Sequence, residues 1–527
     1  MKTFLAALLA MLAAAVPAQA QKDDATDAFF KPSETRSNGS VTIGGARIAY
    51  QAIAGTLVVH AKDWQDTDAI EAEKGKADKD DAKPKPEASM FYTAYFRTGA
   101  PAANRPITFV FNGGPGSSSI WLHMGAFGPV RVETPDLAHA PAAPYALVNN
   151  DQSLLDVSDL VFIDAPGTGF SRVAGDKKEE AFYGVDQDIH AFAEFIGAFL
   201  DRYQRWNSPK YVLGESYGTM RGAGLALALQ QASIDLNGVI LLSDILNWDL
   251  VPDDPQVNPA IDAPYVVALP TYAATAWYHH RLASQPPALR PFLDEVEAFA
   301  TGDYALALMQ GNSLPLERRQ AIAAKLAGYT GLSEAYLLRT NLRIEYGAFQ
   351  KELMAGDDRT TGTLDTRFTG WTIDALSKVA SYDPQGSALE SAYVAAFNAY
   401  ARGTLGYGEG MRFKPGIDIY GSWDYKHQPP GAGKPLIALP NVLPDLAVAM
   451  KQNPNLKVMV NGGYFDVSTP YFAGRYEMRH LPVPPAIAAN VEYHYYESGH
   501  MVYVNPAVLK AFRADVADFI RRTDNLP

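Results

Sequence analysis

The chain has 527 residues, 47% hydrophobic and 20% charged, the balance of an ordinary soluble globular protein. Its formal charge of −13 argues against a nucleic-acid partner, because phosphate recognition needs a basic face. It has no cysteine, so no disulfide supports it, and a chain this long builds a core without one.

In chain order, Lys2, the apolar run 4–16 and Ala18-Gln19-Ala20 have the three parts of a removable signal peptide over residues 1–20. The run is too short for a membrane span, and no cysteine follows it to carry a lipid. The expectation is an exported protein, periplasmic or secreted from a bacterium, with no membrane attachment after cleavage. Residues 21–40 are polar and read as a loose leader within an N-terminal region reaching residue 100. Gly44-Gly45 between 41–43 and 47–50 signals a hairpin, and 57–60 a further strand. Residues 71–87 are mostly Lys, Asp, Glu, Ala and Pro, which bury too little surface to fold and read as a solvated loop.

From residue 91 strands and helices alternate. Strands are predicted over 91–96, 107–111, 160–163, 210–213 and 239–242. Val185, Ile189, Phe192, Ile196, Phe199 and Tyr203 recur at helical spacing, and 219–231 is a second helix. Such alternation implies a mainly parallel sheet with helices on both faces. Residues 248–430 are richer in helical patterns, as at 317–326 and 389–401, and Gly431-Ala432-Gly433 reads as a linker. A helix over 443–451, strands over 456–460 and 491–495, and a helix over 506–522 follow. The fold class is α/β: a core of 101–247 and 436–527, interrupted by a largely helical insertion at 248–435 that covers its loop edge.

The chemistry concentrates at Gly214-Glu215-Ser216-Tyr217-Gly218, a Gly-x-Ser-x-Gly elbow between a strand and a helix. A serine hydroxyl is a poor nucleophile alone and needs a base and an orienting acid. Of ten histidines, His500 lies in the loop between the last strand and the last helix, where it would reach the sheet's carboxyl edge. His279 and His280 read as polar cover within the insertion, and His494 as part of a strand. Asp466 follows the strand 456–460, so the chain order Ser216, Asp466, His500 is that of the α/β-hydrolase fold. Asp164 also follows a strand but precedes the serine, and reads as the anchor of the Ala165-Pro166-Gly167 turn. Two backbone N–H groups should form an oxyanion hole: Tyr217, after the nucleophile, and Gly114, in Asn112-Gly113-Gly114-Pro115-Gly116. Each is worth about 3–4 kcal/mol of transition-state stabilisation. No histidine–carboxylate cluster has metal-ligand spacing, so neither metal nor cofactor is implied.

Asn112-Gly-Gly-Pro-Gly-Ser-Ser-Ser119, Phe162-Ile-Asp-Ala-Pro-Gly-Thr-Gly-Phe-Ser171, the elbow, and Gly499-His-Met-Val502 together resemble the carboxypeptidase Y-like serine carboxypeptidase family. The resemblance implies an exopeptidase acting on peptides through an acyl-enzyme. It implies that Asn112, Gly113 and Glu215 bind the substrate's terminal carboxylate. Two bare carboxylates repel, so Glu215 would have to keep its proton. Three positions depart from the family pattern. Ala126 stands where a second glutamate is usual, Val110 where a tryptophan is, and Ser117 where a cysteine is. The first two touch carboxylate recognition and leave the acyl-enzyme chemistry in place. Rival readings are an acyltransferase or esterase on the same scaffold, and a catalytically silent binding protein.

Overall fold

The computed structural model describes residues 29–62, 64, 85–102, 105–251, 258–436 and 439–526. The expected signal peptide and most of the expected charged loop lie outside the described residues.

Ten strands form the main sheet: β1 (Ser33–Ile43), β2 (Ala46–His60), β3 (Glu87–Arg97), β4 (Ile107–Phe111), β5 (Asp159–Ile163), β6 (Arg172–Ala174), β7 (Lys210–Glu215), β8 (Gly238–Leu242), β9 (Lys457–Gly463) and β10 (Val491–Tyr496). Their spatial order is β1-β2-β3-β5-β4-β7-β8-β9-β10, with β6 paired beside β3. From β5 to β10 every neighbour is parallel, while β1 to β3 run antiparallel. This is the α/β-hydrolase fold, as the alternation of strands and helices predicts.

Side-chain alternation along each strand divides the core. Leu160 and Phe162 of β5, Leu213 of β7 and Ile240 and Leu242 of β8 face one layer. Val161, Ile163, Val212, Val239 and Leu241 face the other. The second layer is filled by α1 (Val185–Tyr203), α2 (Tyr217–Gln231) and, later in the chain, a helix over Leu443–Gln452. The periodic residues Val185, Ile189, Phe192, Ile196 and Phe199 of α1 are buried there, each worth about 1.5–3 kcal/mol of transfer free energy.

Between β8 and the helix Leu443–Gln452 the helices pack in two places. Helices α3 (Ala263–Tyr278), α4 (Leu289–Phe299) and α5 (Leu316–Thr330) share a core of their own, which includes Phe465 and Val467 of the loop that follows β9. Helix α6 (Pro384–Gly403) instead packs Leu389, Tyr393, Phe397 and Tyr400 into the sheet's first layer. The helix Leu443–Gln452 is α7. It is followed by α8 (Tyr471–Arg479) and by α9 (Pro506–Thr523), which packs Phe512, Val516 and Phe519 into that first layer.

Two expectations for the N-terminal region need correction. Residues 33–40 are not leader: β1 pairs with β2 along its whole length, from Ser33–Thr56 to the turn at Gly44-Gly45. As an edge strand it buries few side chains besides Val41 and Ile43, so its polar composition masked it. The strand expected at 57–60 is the continuation of β2, a single strand to His60.

Candidate active site

The parallel strands end at one edge, and the candidate residues are carried on the turns just beyond. Register sets their common level: Phe111 pairs with Gly214, Leu242 with Glu215 and with Asn461, and Gly463 with Tyr496.

Ser216 joins β7 to α2 with φ 61° and ψ −133°, a conformation costly for a residue with a side chain, of order 1–3 kcal/mol. Its N–H donates to the Leu242 carbonyl at 3.0 Å. The turn is too tight for bulk: a Cβ on Gly214 would lie 2.0 Å from the Gly218 oxygen. The serine thus stands at the head of α2, where it stays partly exposed.

His500 and Asp466 are buried together. The His500 Nδ1–H donates to Asp466 Oδ2 at 2.8 Å, which leaves Nε2 as the basic nitrogen. Thr469 donates its hydroxyl to the same oxygen at 2.7 Å and its N–H to Oδ1 at 3.0 Å. Burial works against a charged imidazole, but the Asp466 carboxylate outweighs it and holds the His500 pKa above its ordinary value. The loop is fixed on both sides of the ring: the Ser243 hydroxyl donates to the His500 carbonyl at 2.7 Å, and the His500 N–H to the Leu364 carbonyl at 2.6 Å. Asp164, the other candidate acid, instead accepts the Ser119 N–H and hydroxyl, both at 2.8 Å.

Gly114, Ser216, Tyr217 and Thr469 line one cavity of about 650 Å³. Tyr217 is the first residue of α2, whose leading N–H groups are left unpaired by helix geometry. The Asn112–Gly116 loop lies flush on the elbow, since a Cβ on Gly113 would sit 2.4 Å from the Tyr217 nitrogen. Tyr420 crosses over this loop and donates to the Gly114 carbonyl at 2.9 Å.

Glu215 points away from solvent. Its Oε2 accepts from Asn112 Nδ2 and from the Tyr503 hydroxyl, each at 2.8 Å. Burial pushes its pKa up to about 7, against the lowering pull of His500 and of these two donors. Ala126 is fully buried in a π-helical turn, Leu122–Phe127, so no carboxylate enters from that position. The neighbouring Gly125 faces the Tyr503 ring and the Tyr393 hydroxyl. Val110 is buried in the sheet's first layer, and Ser117 accepts from Trp121 Nε1 at 3.0 Å.

Several supporting residues were not anticipated from sequence. Tyr503 is one, although an aromatic three residues after His500 was a readable signal. Arg221 is another: it forms a buried fork with Asp188 of α1 at 2.7 and 3.2 Å and donates to the Asn112 carbonyl at 2.7 Å. Its guanidinium also stacks over Phe192, 4.1 Å from the ring centre. One charged residue in a helix otherwise uncharged was the clue. Behind the site, Asp244 and Glu477 are buried close together. Burial raises Asp244 to about 7 and Glu477 well above its usual range, and Glu477 accepts the Leu246 and Asn247 N–H groups. Among the described residues no group of three or more metal-ligating side chains is arranged to hold an ion.

Residues 77–246 match the family model described as serine carboxypeptidase, a segment that includes Asn112 and Ser216 and ends before Asp466 and His500. Among curated proteins, serine carboxypeptidase-like 51 of Arabidopsis thaliana is 28% identical over 168 residues, 30% of this chain and 34% of the relative. Retinoid-inducible serine carboxypeptidase of Mus musculus is 28% identical over 209 residues, 36% of this chain and 41% of the relative. A carboxypeptidase Y homolog of Arthroderma benhamiae is 32% identical over 135 residues, 25% and 24% of the two chains. The chain thus spans about a third of the length of the curated relatives it matches first. Solved structures that align with it include proline iminopeptidase of Mycobacterium smegmatis, with 14% identity, 93% of this chain and 99% of that chain covered, and a TM-score of 0.34. MenH of S. aureus aligns with 14% identity over 82% and 99% of the two chains, with a TM-score of 0.32.

Proposed function

We propose that the protein is a serine-type carboxypeptidase that releases carboxyl-terminal residues from peptides through an acyl-enzyme. Ser216 Oγ attacks the scissile carbonyl while His500 Nε2 takes its proton. Gly114 and Tyr217 N–H groups receive the oxyanion. His500 returns the proton to the leaving amine, and the terminal residue departs. Water, activated by the same imidazole, then cleaves the Ser216 ester. Asp466 holds the ring in the tautomer this requires and stabilises its cation. The single observation that carries the reading is the pairing on adjacent residues: a strained serine at the head of α2, and beside it a buried glutamate gripped by Asn112 and Tyr503. A glutamate that keeps its proton to about pH 7 donates a hydrogen bond to a substrate carboxylate instead of repelling it. The match of residues 77–246 to the serine carboxypeptidase model supports this reading. The composition of residues 1–20 supports export.

Ala126 favours a second reading, acyl transfer or ester hydrolysis, because no carboxylate enters from that position to share a proton with Glu215. Mass spectrometry of a peptide library incubated with the wild type and with Ser216→Ala separates these readings. Stepwise loss from the carboxyl end, absent in the variant, supports the carboxypeptidase. Internal cuts, or equal cleavage of amidated peptides, refute it.

A further inference from the structure

The cavity beside Ser216 has a composition the acyl-enzyme chemistry does not need. Its walls are mainly apolar, with Ile245, Trp248, Val251, Ile261, Pro264 and Leu439, yet among the described residues they include one charged residue, Asp249. Asp249 belongs to a short 3₁₀ turn, Trp248–Leu250, fixed by its own N–H donating to Asn247 Oδ1 at 3.1 Å. The residue is only partly buried. Among the described residues no lysine, arginine or histidine lines the cavity to neutralise it. Trp248 and Tyr420 add two aromatic rings to the same wall. Trp248 is held edge-on to Tyr217, 6.2 Å between ring centres.

An apolar channel with one carboxylate and aromatic faces suits a long aliphatic stem ending in a cation. The methylenes cover apolar wall, and the charged end meets the carboxylate and the ring faces. The volume, about 650 Å³, is in the range of small-ligand pockets and leaves room for the whole side chain. The chain's charge of −13 also draws cationic substrates toward the protein. The cavity touches Gly114, Ser216 and Tyr217, and neither Asn112 nor Glu215 lines it, so it is distinct from the buried glutamate and its partners.

We propose that this cavity is the acyl-side specificity pocket and that Asp249 selects lysine or arginine as the residue whose carbonyl Ser216 attacks, the penultimate residue of a peptide substrate. The proposal rests on the reading of Ser216 as the acylating nucleophile.

The test uses two substrate series on the full chain. N-acyl amino-acid esters carrying lysine, arginine, norleucine or glutamate probe the pocket without a terminal carboxylate, and norleucine matches the lysine stem without its charge. N-acyl dipeptides with the same residues before a terminal leucine probe the pocket and the exopeptidase reading together. The expected result is a kcat/KM for the lysine and arginine esters at least tenfold above norleucine. That ratio falls toward one in Asp249→Asn, and Asp249→Lys favours the glutamate ester over the lysine ester. Labelling of Ser216 by a fluorophosphonate probe at wild-type stoichiometry shows that each variant is folded. Equal rates for lysine and norleucine esters, or a ratio that survives Asp249→Asn, overturn the proposal. A charge preference on esters with no cleavage of the dipeptides supports the pocket and refutes the exopeptidase. Dipeptide cleavage without charge preference does the reverse.

Discussion

Two carboxylates of the candidate site, Asp466 and Glu215, are both buried, and their surroundings differ. Asp466 receives three hydrogen bonds spread over both oxygens, two from Thr469 and one from the His500 imidazole, which would become a cation in the proposed reaction. Glu215 receives two, both on Oε2, from groups that stay neutral, and burial outweighs them. The first environment suits an acid that serves as a charge. The second suits an acid that keeps its proton and donates it in a hydrogen bond. Under the proposed carboxypeptidase reading, identical chemistry would serve two roles through placement alone, one half of the site directed at the reacting carbonyl and the other at the end of the chain.

Substitutions separate the halves, and the largest effects fall on the reacting side. Ser216→Ala should lower kcat by about 10⁶-fold on every substrate and abolish probe labelling. Asp466→Asn should cost about 10⁴-fold in kcat, because the imidazole loses its required tautomer, again irrespective of the substrate's end group. Glu215→Ala should discriminate: kcat/KM for peptides with a free carboxylate should fall about tenfold to a hundredfold further than for matched esters. Equal losses on both would erase the distinction between the two halves.

A control lies outside the site. His427 is buried between Asp186 and Asp445, with ring nitrogens 2.6 and 2.9 Å from their carboxylates. Burial opposes its charge, but the two aspartates prevail and raise it to about 9. A raised histidine pKa means the contribution is complete below the unfolded value of about 6.5 and fades as pH rises through about 9. His427→Asn should lower stability in thermal or denaturant unfolding by about 2–3 kcal/mol at pH 6. This is less than for a fully buried pair because Asp186 is partly exposed. The loss should shrink above pH 9, and the free-carboxylate preference should be unmoved. The smallest effect expected is for Tyr503→Phe, which removes one donor to Glu215 at a cost of about 0.5–1.5 kcal/mol. Because that donor favours the ionised glutamate, its loss should move the alkaline limb of free-acid hydrolysis to higher pH, a shift a merely structural role would not produce.

The sequence carried the reacting half of the site more legibly than the recognition half. Parallel strands end in short turns, so the motif residues Gly114, Ser216, Asp466 and His500 sit one or a few residues beyond strands whose apolar runs are visible. Recognition depends on side chains that meet across the fold. Tyr503 reaches Glu215 over 288 positions, and Arg221 reaches Asn112 over 109, separations that no local pattern encodes. Edge strand β1 was hidden for the opposite reason: its pairing is local, but it buries too little to leave an apolar pattern. Helix α6 was visible as a helix, while its packing against the sheet, through Tyr393 and Phe397, was not.

The role proposed for Glu215 as a reader of the chain end is tested most directly by the ratio of kcat/KM for one peptide with a free and with an amidated carboxyl terminus, followed with pH. His500 must be neutral to act as base, so ester hydrolysis should rise with pH through a value above the ordinary histidine pKa. Glu215 must be protonated to receive a carboxylate, so the free-acid preference should hold below about 7 and fall as pH rises through it. A preference of about tenfold or more that declines across that value is the predicted result. A ratio near one at every pH would contradict it.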